Sequence, residues 1–148
     1  MPAMASDRPL PGPVQLFQRV FCELRPEAPF PYDQLYAPDV VFEDPLHRAD
    51  GLDAVRRHFE RLNANLRVCH FEYGRAFVEA DEAVLAWTMK LELRRGPRRP
   101  VVVPGMTFLR FADRISYQRD HFDAGALVYE HVPLLGWFIR ALKRHLQR

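Results

Sequence analysis

At Leu66 the apolar spacing of this chain changes from helical to two, and it stays at two as far as Phe122. A period of two sends alternate side chains to opposite faces of an extended strand. Leu66 to Glu79 alternates in this way. Ala83 to Leu93 places Leu85, Trp87, Met89, Leu91 and Leu93 on one face. Pro100 to Phe111 gathers Val101, Val103, Gly105, Thr107 and Leu109, and Ile115 to Phe122 aligns Ser116, Gln118, Asp120 and Phe122. Short polar turns at Ala80-Asp81-Glu82, Arg94 to Arg99 and Ala112-Asp113-Arg114 join these runs, so the pattern predicts an antiparallel meander of four strands.

Upstream the spacing is helical. Val14, Phe17, Val20, Phe21 and Leu24 predict a first helix with one buried face, and the three prolines between Arg25 and Pro31 end it. Tyr32 to Tyr36 suits a short second helix. Val40, Val41 and Phe42 are β-prone, and Pro45 stops that strand because it cannot donate to a ladder. Asp50 and Asp53 around Gly51 resemble a capped helix start, followed by Leu52, Val55, Phe59 and Leu62 on the expected inner face. Helices before strands is an α+β order. The expected organisation is a loose tail over 1–13, one domain over 14–132, and an amphipathic basic helix over 133–148.

At 148 residues and 48% hydrophobic, with eleven Phe and five Tyr, the chain suits one domain with a real core. A net charge of +2 argues against nucleic acid as a partner, and no aromatics interleave with the cationic Arg94–Arg99 turn. Cys22 and Cys69 fit neither a disulfide framework nor a metal spacing. No signal peptide or membrane span is evident, so a cytoplasmic location is expected. The six histidines show no zinc or iron spacing, and no metal or other cofactor is expected. The last helix carries Leu134, Leu135, Phe138, Ile139, Leu142 and Leu146 opposite Arg140, Lys143 and Arg144. Packing against the domain or a second subunit is one role for it; peripheral contact with an anionic membrane, led by Trp137 and Phe138, is the other.

The order of helix, helix, strand ending in Val41-Phe42-Glu43-Asp44-Pro45, Gly51-Leu52-Asp53-Ala54-Val55 helix and meander resembles the nuclear transport factor two-like superfamily. Its SnoaL-like, ketosteroid isomerase and limonene epoxide hydrolase branches are the relevant ones. The resemblance implies a cone: a curved antiparallel sheet wrapped on N-terminal helices, with a pocket inside and a homodimer through the outer sheet face. Phe42-Glu43-Asp44-Pro45 is similar to the segment ending in the general-base aspartate of ketosteroid isomerases, which puts Asp44 on that base. The two oxyanion donors of those enzymes would fall at Val20 or Phe21 and at Thr107. Arg119-Asp120-His121-Phe122-Asp123 is similar to the catalytic segment of limonene epoxide hydrolases, which puts Asp120 on their catalytic aspartate. Their arginine and second aspartate correspond to Trp87 and Met89, and their water-holding tyrosine and asparagine to Phe42 and Asp44. The chain thus keeps one pocket carboxylate from each of two branches and the full set of neither.

The resulting expectation is a catalytic pair, Asp44 and Asp120, in a pocket lined by Phe42, His58, Phe59, Trp87, Met89, Val103 and Phe122. Poor solvation and mutual repulsion would raise at least one pKa toward neutrality, where a carboxyl can give or take a proton. Asp120 is the expected acid or base, Asp44 its partner, and Gln118 and Thr107 the residues that hydrogen-bond substrate. The reaction expected is of isomerase, cyclase or hydratase/hydrolase type on a small apolar or lipid-like oxygenated molecule. A non-catalytic ligand-binding or association module of the same fold is the alternative. Local capping of N–H groups by each aspartate is the structural reading that competes with both.

Overall fold

Cross-strand register organises the molecule, and the computed structural model describes it over residues 9–96, 98–127 and 144–145. The strands are β1 (Glu23–Leu24), β2 (Tyr36–Glu43), β3 (Arg48–Asp50), β4 (Leu66–Glu79), β5 (Glu82–Leu93), β6 (Val101–Phe111) and β7 (Ile115–Phe122). The helices are α1 (Gly12–Phe21), α2 (Tyr32–Leu35), α3 (Leu52–Asn63) and α4 (Ala124–Leu127). One seven-stranded sheet runs in the order β1-β4-β5-β6-β7-β2-β3. The meander β4 to β7 is antiparallel throughout, as its period implies. The sheet as a whole is mixed, because β2 lies parallel to β7, pairing Phe42 with Gln118 and Glu43 with Arg119. With β2 and β3 on one edge and β1 on the other, the sheet curls around α1, α2 and α3 as an α+β cone.

Three local features depart from the sequence reading. Strand β2 starts at Tyr36 rather than Val40, because it pairs in parallel with β7, with Tyr36 opposite Ile115. The cap of α3 is Gly51 at φ +88°, without a side-chain cap, while Asp50 stays extended in β3 and pairs with Arg48. A left-handed φ is a glycine conformation, and it lets the Gly51 N–H reach the Val40 carbonyl (2.8 Å) as the chain enters the helix. On α3 the buried residues are Val55 and His58, whereas Leu62 is 51% exposed.

The main core joins the helices to the inner face of the sheet: Val14, Phe17, Phe21, Leu35 and Val55 meet Tyr36, Val40, Leu85, Leu109 and Ile115. A second cluster of Leu66, Cys69, Leu91, Val101 and Val103 lies farther along the same face, edged by the half-buried Phe71, Met89 and Phe122. No described helix is long and apolar enough to cross a membrane. Of the expected C-terminal helix only Arg144 and His145 are described, both helical and exposed; the rest of it, and residues 1–8 of the tail, lie outside the described residues.

Candidate functional site

Three adjacent rungs of the sheet build the site. Across β4 to β7 one row reads Tyr73, Trp87, Gly105, Phe122, and the next reads Leu85, Thr107, Asp120. The third joins Leu109 to Gln118 and, through the parallel ladder, Gln118 to Phe42. Period two therefore puts Gln118, Asp120 and Phe122 on the inner face, and register sets Thr107 beside Asp120. Gly105 has a specific function here. A Cβ at that position would stand 2.3 Å from the Trp87 ring and 2.7 Å from the His121 carbonyl oxygen. Its absence lets the indole lie across β6.

The indole N–H of Trp87 donates to Thr107 Oγ1 (2.8 Å), and Thr107 donates to Asp120 Oδ1 (2.7 Å). From the other side, Tyr36 donates to Gln118 Oε1 (2.6 Å), and the Gln118 amide donates to the same Asp120 oxygen (3.1 Å). Trp can only donate, so the direction of the first chain is fixed and the carboxylate is where both chains end. Gln118 and Thr107 are 1% and 2% exposed. Both donate to Asp120 Oδ1. Among the described residues no side chain hydrogen-bonds Oδ2.

Burial pushes the Asp120 carboxyl from 3.8 up to about 6. The hydrogen bonds from Thr107 and Gln118 oppose that rise, the charge of Asp44 adds to it, and His58 opposes it. Asp120 as a whole residue is partly buried. Asp44 shows the opposite balance. Burial pushes it up, but His58 and the backbone N–H groups of Leu46 and His47 outweigh burial and hold it below its ordinary value. Two carboxyls in one neighbourhood with pKa values driven apart can divide acid and base roles.

Asp44 stands one residue past the last rung of the β2–β7 ladder, as Asp120 does. Its Oδ1 accepts from the N–H of Leu46 (2.7 Å) and of His47 (2.8 Å), the local capping geometry of a turn aspartate. Its side chain is only 7% exposed, and Oδ2 lies 3.5 Å from His58 Nε2. That distance is at the outer limit of a hydrogen bond, and His58 Nε2 is buried with no hydrogen-bond partner among the described residues. The donor atoms of Asp44, His47 and His58 all lie within 4.8 Å of one another. The 44, 47, 58 spacing carried no signal for this cluster, because a strand end, a turn and a helix supply one residue each.

Among the expected lining residues, Phe42, Trp87 and Val103 are buried, while Phe59, Met89 and Phe122 keep partial exposure. Phe59 belongs to the helix side, where its ring meets those of Phe42, Tyr36 and Phe21. Two residues escaped the sequence reading. Tyr36 anchors the Gln118 chain, and Tyr73 buries a hydroxyl that makes no hydrogen bond among the described residues. Burial and the charge of Asp120 both raise the Tyr73 phenol, which places it within electrostatic reach of that carboxyl. The alternation of β4 puts Tyr73 on the inner face and was the available signal. A groove of about 540 Å³ lies on the opposite face of the sheet, lined by Val84, Met106, Phe108, Tyr117 and His121 among others.

Known structures share this architecture. A hypothetical protein with a ketosteroid isomerase-like fold from Catenulispora acidiphila, solved with trimethylamine, matches with a TM-score of 0.70 at 19% identity, covering 85% of this chain and 95% of its own. An NTF2-like protein of unknown function from Burkholderia pseudomallei matches with a TM-score of 0.63 at 15% identity, covering 80% and 96%. A candidate SnoaL-like polyketide cyclase from Jannaschia sp. CCS1 gives 0.63 at 16% identity, covering 78% and 88%. No curated protein matches the chain. The model of the SnoaL-like domain matches residues 30–117, more than half of the sequence and all of the strands that carry the rungs up to Tyr117. The chain therefore belongs to the SnoaL-like domain family.

Proposed function

We propose that this protein is a small acid–base enzyme of isomerase or cyclase type, with Asp120 moving the proton. The observation that carries this reading is the state of one carboxyl. Asp120 is raised to about 6, pinned by two donors on Oδ1, and left without a hydrogen-bonding side chain on Oδ2. A base poised near neutrality suits proton transfer at physiological pH. In this scheme Oδ2 removes a proton from a carbon next to a carbonyl, and the electron pair moves to the carbonyl oxygen. The unpartnered Tyr73 hydroxyl hydrogen-bonds that oxygen. Asp120 then returns the proton at another position, or the enolate carbon attacks a second carbonyl of the same molecule, whose π electrons move to its oxygen, and Asp120 protonates the resulting alkoxide. The apolar surroundings of Trp87, Phe71 and Phe122 favour a hydrophobic oxygenated substrate.

A substrate-independent assay tests this. The protein is incubated with an extract of small apolar metabolites in D2O, and mass spectrometry follows deuterium uptake or mass-neutral conversion. Protein-dependent uptake that Asp120→Asn abolishes is expected; equal uptake with that variant would refute the assignment. A second reading, capture of a ligand without conversion, is favoured by the carboxylate among aromatic rings, a combination that also suits an amine. A ligand bound and returned unlabelled would establish it. We also propose that the outer groove seats a second copy of the chain, because Met106 (49%) exposes apolar surface there.

A further inference from the structure

We infer that Asp44, His47 and His58 form a binding site for a divalent transition-metal ion. Two imidazoles and one carboxylate are the donor set of facial-triad and open zinc sites, and they suit borderline ions over calcium or magnesium. Donor atoms bound to one ion at about 2.1 Å stand about 3.0–3.4 Å apart. Here His58 Nε2 is 3.5 Å from Asp44 Oδ2, the oxygen left for an ion, and His47 Nδ1 is 3.3 Å from the other oxygen of the same carboxylate, Oδ1. No pair of the three donors exceeds 4.8 Å.

The site is built rather than incidental. His58 is 3% exposed, its ring packed against Phe42 and Phe59, and its Nε2 is buried without a hydrogen-bond partner while facing Asp44. A buried imidazole nitrogen normally finds a partner, and a metal ion would supply one. Asp44 is oriented from behind: the Leu46 and His47 N–H groups hold Oδ1, leaving Oδ2 for the ion. His47, with its side chain 48% exposed, is the solvent-side ligand and the route of entry. Three protein ligands leave positions for water or a small oxygen ligand. This inference does not depend on the acid–base role of Asp120, since ion binding is measured without any substrate.

The full-length protein is treated with chelator, dialysed, and titrated with Co2+ while d–d absorption is followed, then with Zn2+ in competition. One ion per chain is expected, displaced by Zn2+. His47→Gln, at an exposed position, is expected to keep the fold and weaken binding at least tenfold. His58→Gln is expected to abolish the d–d signal. Histidines on the outer sheet face serve as controls, and His70→Gln with His121→Gln should titrate as the parent does. Absence of saturable binding by the parent, or unchanged titration of His47→Gln, would overturn the inference.

Discussion

Replacing Asp120 by Asn tests the physical basis of the site without any substrate. The folded carboxyl titrates at about 6 and the unfolded one near 3.8. Because the folded value is the higher, the native chain binds more protons than the unfolded chain between those values. The contribution of this group to stability therefore falls as pH rises through that window, and it is greatest below about 3.8. The interval is about 2.2 pH units, and each unit corresponds to about 1.4 kcal/mol, so the ionised carboxylate costs about 3 kcal/mol at pH 7.5. Asparagine keeps an oxygen to accept from Thr107 and Gln118 but carries no charge. The variant should match the parent near pH 3.5 and exceed it by up to about 3 kcal/mol at pH 7.5, less whatever its unpaired NH2 costs. Urea unfolding of both chelator-treated proteins across this range supplies the difference curve, in which the other titrating groups largely cancel. A difference that stays flat from pH 3.5 to 7.5 would mean that burial does not perturb Asp120, and the proton-transfer reading would lose its foundation.

The remaining expectations are simpler to state. Gly105→Ala should cost about 3 kcal/mol in urea unfolding, since the clash includes a backbone carbonyl and cannot be relieved by moving Trp87 alone. Tyr36→Phe and Tyr73→Phe should differ in magnitude: the first loses a buried hydrogen bond and about 1–2 kcal/mol, while the second removes a hydroxyl with no hydrogen-bond partner among the described residues, at no cost in stability but with lower turnover. Once a substrate is found, kcat/KM should rise with pH through about 6 if Asp120 is the base, and a rate independent of pH from 5 to 8 would exclude it. Met106→Glu should shift the protein from dimer to monomer in light scattering, and an unchanged mass would exclude the outer face as the subunit interface.

Strand period and turn chemistry carried most of the architecture. The run from Ile115 to Phe122 is β7 to the residue, and Leu66–Glu79 is β4, because alternation and polar turns are local properties that need no partner to be recognised. The same alternation placed Gln118, Asp120 and Phe122 on one face before any fold was known. Where the reading slipped, a neighbour distant in sequence decided. Strand β2 extends back to Tyr36 because β7 offers it a parallel edge, and Gly51 takes the cap because Val40 offers its carbonyl. His58 displaces Leu62 from the buried face because Phe42 and Asp44 stand opposite it. Local chemistry thus determined that this chain has a meander, an inward-facing aspartate and helices to cover it. Only tertiary pairing decided that Asp44 stands beside Asp120, that Trp87 and Tyr36 feed hydrogen bonds to one carboxyl, and that two histidines meet Asp44. Such convergences depend on the register between strands far apart in the chain, and no spacing along the chain encodes that register.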